Sequence, residues 1–335
     1  MSDSKRKERI DRCIKAYTDD VFCLSSLREI AYLVLPRALP VLAILALVFF
    51  VPVYWKKVLT ITFVMAMMAV SWDFLASCGL VSLGQALFFA IGAYTAGGLN
   101  YYWHVPVYFT LPAATLFGGI ISTALIFPAL RLKGMYFSMV TLIIPLMLMR
   151  VIEATKILGG TAGISGLDSF SSMTVGIGIS MAAIWVTLFS LRRLITSDYG
   201  LIFVALMDND RAVEASGLDI LWFKVQAIYI GSAICCFCGA FMTHYYMNVG
   251  MSAFALDLSI FPIAACVVGG MGTLAGPVLG AMVLGPLSEL LRSFGTFRVV
   301  IYSILLVVFI VGFPEGIFPY LKRRYEQIER WVGDK

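Results

Sequence analysis

The stretch RRLITSDYGLIFVALMDNDRAVEASGLDILWFK, residues 192–224, is the only long polar interruption in an otherwise apolar chain. Near its centre, Asn209 favours a helix cap, and Asp210 and Glu214 favour the first turns of a helix. Gly217 favours the left-handed conformation that ends one. The pattern predicts a helix of about two turns, which is too short to be stable alone in water. We expect the rest of the chain or a partner protein to hold it; a solvated surface helix in a connecting loop is the alternative interpretation.

The rest of the chain has the composition of a membrane protein. Of its 335 residues, 60% are hydrophobic and 13% are charged, and the mean hydropathy is +0.91. Several runs reach the roughly 20 apolar residues that cross a bilayer. The sequence therefore predicts an all-α polytopic membrane protein. The net charge of +5 does not indicate a nucleic-acid partner, because the basic residues are distributed along the chain rather than gathered on one face.

Ten apolar spans are predicted. They cover residues 38–55, 58–77, 80–102, 107–130, 135–154, 173–191, 225–247, 257–271, 275–291 and 298–313. The span at 257–271 is short and ends in glycines, so it is either a full span or a re-entrant helix. Lysine and arginine gather in the cytoplasmic segments of membrane proteins. With both termini inside, most of the 25 basic residues fall in residues 1–37, 131–133, 192–224 and 322–335.

This topology divides the chain into three parts. Residues 1–37 are predicted to be a charged, amphipathic segment at the cytoplasmic membrane surface. Residues 38–313 are the transmembrane domain, and residues 314–335 are a cytoplasmic tail. The polar segment 192–224 then lies in the cytoplasm, and the loop 156–172 lies outside.

Two glycine-dense stretches, residues 78–98 and 268–280, interrupt the apolar pattern. In the second, Gly272, Gly276 and Gly280 recur every four residues, which places them on one helix face and predicts close backbone packing. Close packing alone is one interpretation, and a flexible gate beside a substrate path is the other. The candidate path residues are Asp73, Ser82, Gly84, Gln85, Gly92, Tyr94, Gly269, Gly270, Gly272, Thr273 and Gly276.

Charged residues within the predicted spans are costly in lipid and are therefore candidates for function. Asp73 has no obvious partner nearby, so it either bonds another helix or lies along a translocation path. Glu153 is predicted to form an ion pair with Arg150, and Glu289 with Arg292, since each pair is three residues apart on a helix.

Few residues suggest chemistry or metal binding. Cys235, Cys236 and Cys238 lie in an apolar span without a metal-ligand spacing, and they are predicted to be small buried residues. The two histidines, His104 and His244, lie near external span ends and are predicted to be polar helix caps. The motifs Gly-x₄-Gly-Lys-Ser/Thr, His-Glu-x-x-His and Gly-x-Ser-x-Gly do not occur in the sequence. We therefore expect no enzyme activity, cofactor or metal in this chain.

Six motifs follow one another along the chain. They are GLVSLGQALFFAIGAY (79–94), ALRLKGMYFSMVTL (129–142), GGTAGISGL (159–167), DNDRAVEASGLDILWFK (208–224), VVGGMGTLAGPVLGA (267–281) and FPEGIF (313–318). With them the chain resembles the permease subunits of branched-chain amino acid ABC importers, the LivM-like family, whose close relatives import urea and amides. The resemblance covers about residues 60–320.

The resemblance implies a bundle like that of type II ABC importers, in the bacterial inner membrane. It also implies three kinds of protein partner: a second, LivH-like permease, two cytoplasmic ATPases that bind ATP and magnesium, and an external solute-binding protein. The coupling core of the family corresponds here to residues 214–217, and the Leu-Arg-Glu that commonly precedes it is Leu206-Met207-Asp208 in this chain. The residues expected to couple to the ATPases are Asn209, Asp210, Arg211, Ala212, Glu214, Ala215, Gly217 and Lys224.

The expected mechanism is a push by the ATPases on residues 209–217, with Ala212, Val213 and Ala215 buried in an ATPase groove. Other functions stay open. An ion-coupled carrier would need an internal repeat, and the echo between residues 82–83 and 273–274 is too weak to establish one. An intramembrane enzyme would need a group of catalytic side chains at one membrane face. The solute is not identified by the sequence, and branched-chain amino acids, urea and short amides all stay open.

Overall fold

The computed structural model describes residues 5–9, 52–132, 134–208, 210–291, 297–313, 315–326 and 329–333. Most of these residues are helical. The helices are α1 (Val53–Ser77), α2 (Gln85–Trp103), α3 (Val107–Ile126), α4 (Met135–Thr155), α5 (Met173–Ile195), α6 (Asp198–Asp208), α7 (Asp210–Ala215), α8 (Ile220–Tyr246), α9 (Asp257–Gly269), α10 (Ala275–Leu290), α11 (Phe297–Gly312) and α12 (Ile317–Glu326). Short 3₁₀ helices cover Phe127–Arg131, Ile157–Ala162 and Met251–Phe254.

Four short strands form two antiparallel pairs. Strand β1 (Lys5–Arg9) pairs with β4 (Glu329–Gly333), so the two ends of the chain lie together. Strand β2 (Ile164–Ser165) pairs with β3 (Asn248–Val249), which ties the loop 156–172 to the end of α8. The all-α prediction is correct for the body of the molecule and misses these pairs. Strands β2 and β3 have two residues each, too few to show an alternating pattern, and β1 (KRKER) contains no apolar residue that could alternate.

Among the described residues, five helices are long and apolar enough to cross a membrane. These are α1, α3 with the 3₁₀ turn that follows it, α4, α5 and α8. The helices α2, α9, α10 and α11 lie at predicted spans but are not among these five. Residues 38–51 of the first predicted span lie outside the described residues. The molecule is thus a multi-pass helical membrane protein, and the count of ten spans is not confirmed.

The core of the bundle is built around α1. In its most apolar window 89% of the residues are buried, against 61% in α8 and 22% in α4. Because α1 has no polar face along most of its length, other helices can surround it in place of lipid. Helices α5, α8, α9 and α10 pack against it, while most of α4 stays on the outside.

Helices α2 and α8 cross at very short range. Any Cβ atom at Gly92 would overlap the backbone of Cys236, and one at Gly239 would overlap the carbonyl oxygen of Phe89. Small residues allow this approach, which compensates for the weak hydrophobic drive between helices in lipid. Gly92 belongs to the first glycine-dense stretch, whereas Gly239 lies outside both stretches.

Helices α9 and α10 form a hairpin. With 13 and 16 residues they are about 20 and 24 Å long, shorter than the roughly 30 Å of a bilayer core. Gly276 and Gly280 of α10 lie against Gly269 and Ala265 of α9. The predicted glycine stripe is wrong at Gly272, because the helix begins only at residue 275 and Gly272 lies in the turn before it.

The segment 192–224 is more structured than a polar loop. It includes α6, an apolar helix whose Phe203 and Leu206 are buried, and then the short α7. Helix α8 begins at Ile220 instead of the predicted 225, because the Asp219 side chain accepts hydrogen bonds from the backbone N–H groups of Leu221 (3.0 Å) and Trp222 (3.3 Å) and caps the helix.

Candidate functional site

Two consecutive residues of α1 hold both glycine stretches. The indole Nε1–H of Trp72 donates to the carbonyl oxygen of Ser82, 2.7 Å away, in residues 78–84, which we call the first glycine loop. The Asp73 carboxylate accepts from the backbone N–H groups of Gly272 (2.6 Å) and Leu274 (3.0 Å) in residues 270–274, the second glycine loop. Asp73 is only 1% exposed, so burial removes its hydrogen bonds to water. The two bonds from the backbone N–H groups take their place.

Each glycine loop leads into a helix, and each uses a hydroxyl side chain to do so. The Ser82 hydroxyl accepts from the N–H of Gly84 at 3.1 Å, just before α2 begins. The Thr273 hydroxyl accepts from the N–H of Gly276 at 3.0 Å, in the first turn of α10. The weak sequence similarity between residues 82–83 and 273–274 therefore corresponds to a similar local arrangement. In both, a hydroxyl group accepts a hydrogen bond from a free backbone N–H at a helix start.

Helix α2 begins inside the bundle. The Oε1 atom of Gln85, its first residue, accepts from the Sγ–H of Cys235 at 2.8 Å, and Cys235 lies near the middle of α8. The N–H of Ala86 donates to the hydroxyl of Ser259 in α9 at 3.0 Å. Within the described residues, the Gln85 Nε2 atom is buried without a hydrogen-bond partner. A helix that begins at this depth is tolerated only where protein or a cavity covers its free polar groups.

The second glycine loop has an unusual backbone. Gly270, Gly272 and Leu274 all have positive φ angles, of 111°, 75° and 54°. The positive φ of Leu274 is unusual, because residues with a side chain rarely adopt such angles and the backbone is strained when they do. Gly270 also lies against Gly316 and Pro319, so the start of α12 contacts this loop directly.

Most predicted path residues come together around the two loops. Asp73, Ser82, Gly84, Gln85, Gly269, Gly270, Gly272, Thr273 and Gly276 all lie in or beside them. Gly92 and Tyr94 lie farther along α2. Gly92 is at the crossing with α8, and the Tyr94 ring contacts Phe254 at a centroid distance of 5.7 Å. Of the two alternatives for Asp73, a bond to a distant part of the chain is present, although it reaches the loop before α10 and not a helix, and a place along a translocation path stays a prediction.

The predicted short helix exists as α7, Asp210–Ala215, and Gly217 follows it with a φ of 82°. Glu214, Ala215 and Gly217 are exposed. Val213 was expected in a partner's groove, which is wrong for this structure, since Val213 is 6% exposed and belongs to the chain's own core. The reason is that α7 lies on the bundle and turns one apolar side chain inward.

The other predicted coupling residues are distributed differently. Lys224 is buried in the first turns of α8, apart from the exposed residues of α7. Asn209 lies outside the described residues, so its predicted capping role stays a prediction. Asp210, Arg211 and Ala212 form the first turn of α7, and only their backbone is described.

Sequence reasoning missed the role of α6 as a connection between α7 and the first glycine loop. The Phe203 ring packs between Phe74 of α1 and Phe223 of α8, at centroid distances of 5.8 and 6.3 Å. A Cβ at Gly79, in the first glycine loop, would lie only 3.2 Å from the Cα of Met207. The signal for this contact was the apolar run at 201–207, which the polar residues around it concealed.

Three further predictions about polar residues have clear outcomes. The Arg150–Glu153 ion pair is present at 2.7 Å. His244 is not a helix cap: its ring bonds the Thr110 hydroxyl (2.6 Å) and the carbonyl oxygen of Asp168 (2.8 Å), tying α3 and the loop 156–172 to α8. His104, by contrast, is the C-terminal cap residue of α2, with a left-handed backbone.

Two remaining predictions concern an ion pair and the cysteines. Glu289 accepts a hydrogen bond from the Tyr54 hydroxyl, while its predicted partner Arg292 lies outside the described residues. Cys235, Cys236 and Cys238 are all buried, as predicted.

These features define a polytopic helical membrane protein in which one helix, α2, begins inside the bundle, an architecture found among transporters. The profile of the family described as "Branched-chain amino acid transport system / permease component" matches residues 54–312. The chain therefore belongs to this family of permease components.

Relatives agree with this family. The chain is 29% identical over 276 residues to the high-affinity branched-chain amino acid transport system permease protein LivM of Salmonella typhimurium and to that of Escherichia coli. Each alignment covers 72% of this chain and 64% of the relative, so the match spans less than two thirds of those proteins. The probable LivM permease of Methanocaldococcus jannaschii is 28% identical over 178 residues, covering 50% of this chain and 51% of that protein. No solved structure matches the chain.

Proposed function

We propose that this chain is a membrane subunit of an ABC importer that moves branched-chain or other hydrophobic amino acids across the bacterial inner membrane. Membership of the permease family supports the transport role, and the names of the relatives support the solute. In this proposal the chain works with a second permease, two cytoplasmic ATPases that bind ATP and magnesium, and an external solute-binding protein.

The proposed topology has ten spans with both termini in the cytoplasm. The pairing of β1 with β4 supports an even number of spans, because paired segments at the two ends lie on the same side of the membrane. The segment with α6 and α7 would then face the ATPases, and the loop 156–172 would face the binding protein. The concentration of basic residues in the proposed cytoplasmic segments agrees with this orientation.

The observation that carries the mechanism is the continuous contact from α7 to both glycine loops. Helix α7 joins α6, and α6 contacts both the end of α1 and Gly79 of the first glycine loop. Two residues of α1 then hold the two loops together. A push by the ATPases on α7 would reach the broken helix starts through this route and switch which side of the central path is open.

The experiment is uptake of leucine, isoleucine and valine by the purified complex in liposomes, with its binding protein and ATP. The proposal is supported if uptake by the wild-type complex requires both the binding protein and ATP. Glu214→Lys with Gly217→Val should abolish uptake and release the ATPases in a pull-down, because the first change reverses an exposed charge and the second forces a β-branched residue to a positive φ. Glu153→Lys is the control, since it reverses a charge outside this segment.

Each other outcome has a distinct meaning. A chain that purifies without ATPases and carries solute on an ion gradient would be a secondary carrier. A complex that carries urea or a short amide but no amino acid would keep the mechanism and replace the solute. Full ATP-driven uptake by the double variant would show that α7 is not the coupling helix.

A further inference from the structure

A second feature of the bundle lies away from the glycine loops. It is a cleft of about 170 Å³ at the end of α8 opposite to α7. A single water needs on the order of 10–15 Å³ by a comparable measure, so the cleft can hold a ligand of several heavy atoms. One wall is formed by β3 and the 3₁₀ turn after it, and β3 pairs with the loop 156–172.

The inner wall of the cleft is apolar. Side chains from α1, α2, α8 and α9 meet there, namely Met65, Phe89, Met242 and Leu258. Burying an aliphatic side chain against such a wall is favourable by about 25 cal/mol per Å² of apolar surface. The flexible side chains of the two methionines also let the wall adapt to branched shapes.

Polar groups line the rest of the cleft. Asn248 and Ser252 are exposed, and Thr243 lies deeper, with its hydroxyl donating to backbone oxygens of α2 and α8. All residues that line the cleft are uncharged. The inner part of the cleft therefore suits the uncharged, aliphatic part of a ligand, and charged groups of that ligand keep their hydration only at the solvent-exposed side, beside Asn248 and Ser252. An apolar wall with a few polar groups is typical of a small-molecule site.

We propose that this cleft receives the aliphatic side chain of the transported amino acid at the outer end of the path, with its ammonium and carboxylate groups held near Asn248 and Ser252. The inference rests on the proposed function and adds to it a location and a size limit. It predicts that the permease itself, and not only the binding protein, selects the side chain.

Leu258 is the residue that tests this, because it lines the cleft and is only half-buried. In the reconstituted complex, with the same saturating binding protein, Leu258→Phe should lower leucine uptake relative to valine by about tenfold, the low end of the discrimination that one methylene gives in an apolar pocket. Leu258→Ala should shift the ratio in the opposite direction. Ile260→Phe is the matched control, since Ile260 lies on the same helix, is exposed and does not line the cleft.

The inference would be overturned if both Leu258 variants transport normally and keep the wild-type ratio of leucine to valine uptake. The proposed function would not be affected by that result. Wild-type complex that carries no amino acid would instead refute the proposed function. If the Leu258 variants fail to assemble, Ser252→Cys gives the same decision through labelling by a membrane-impermeant thiol reagent. During uptake, valine should slow the labelling of this cysteine at least about threefold. Equal labelling rates with and without valine would overturn the inference.

Discussion

The two glycine loops are both held by α1, but three side chains bond the first loop from outside and one side chain bonds the second. The first receives the Trp72 bond and two more from α4: the Thr141 hydroxyl accepts from Leu83 N–H at 3.1 Å, and the Ser138 hydroxyl donates to the Val81 oxygen at 2.5 Å. For the second, within the described residues, the side-chain bonds from outside its hairpin all come from Asp73.

This difference indicates which loop can rearrange. A loop that is hydrogen-bonded by several side chains keeps its position when one of these bonds breaks. A loop that is bonded by a single carboxylate can move once the bonds to that carboxylate break. The second glycine loop also contains the strained Leu274. We therefore expect the second loop to be the more mobile one during transport, and the following predictions test that ranking from the largest effect to the smallest.

Replacing Asp73 should have the largest effect. Asp73→Ala removes the acceptor of the Gly272 and Leu274 N–H groups, and a hydrogen bond to a charged group contributes about 1.5–3 kcal/mol. We expect uptake in liposomes to fall at least about tenfold and the unfolding midpoint of the purified complex to decrease. Asp73→Asn is the control, since its amide oxygen can still accept a hydrogen bond and should preserve part of the activity. Wild-type uptake by Asp73→Ala would show that this carboxylate does not hold the loop.

Much of the fold was predictable from the sequence because lipid imposes simple rules. Long apolar runs predicted α1, α3, α4 and α5 to within a few residues at most ends. The turn chemistry of Gly217 and the ion pair of Arg150 were also predictable, since both depend on residues close together in the chain. The glycine stretches correctly indicated where helices break or cross closely.

What the sequence did not reveal depends on contacts between distant parts of the chain. The partners of Asp73 lie about 200 residues away, and no local pattern connects them. Likewise, the position of Phe203 between α1 and α8 follows from packing, and an apolar helix inside a polar segment does not indicate its neighbours. Local rules therefore found the parts of the site, and tertiary packing decided how they connect.

Trp72→Phe should have a smaller effect than Asp73→Ala. It removes one hydrogen bond, worth about 1 kcal/mol, and leaves the first glycine loop bonded to α4. We expect uptake to fall only about two- to fivefold, with the ATPases still bound in a pull-down. A loss greater than that of Asp73→Ala would reverse the ranking of the two loops.

Matched deletions of the two hydroxyls sharpen the comparison locally. Thr273→Val removes a bond to Gly276 N–H and one to the Gly270 oxygen, whereas Ser82→Ala removes a bond to Gly84 N–H from a loop with other anchors. Amide hydrogen exchange measures both. We expect exchange at Gly276 to accelerate about fivefold, which corresponds to about 1 kcal/mol, and exchange at Gly84 to accelerate less. Equal acceleration would mean that the two loops are equally well anchored.

Arg323→Gln should have the smallest effect, and it tests whether the C-terminal segment is a hidden second anchor. Arg323 pairs with Glu315 beside Gly270, but both side chains are more than half exposed, so the pair contributes little. The Arg323 guanidinium lowers the pKa of Glu315 below its ordinary value of 4.5, so the contribution is complete above that value and is lost as the pH falls through the lowered pKa. In an acid-unfolding experiment, wild type should therefore be slightly more stable than the variant above pH 4.5, and this difference should disappear below the lowered pKa of Glu315. Uptake at neutral pH should be the same in both proteins. A loss as large as that of Asp73→Ala would place the main anchor of the second glycine loop in α12 instead of α1.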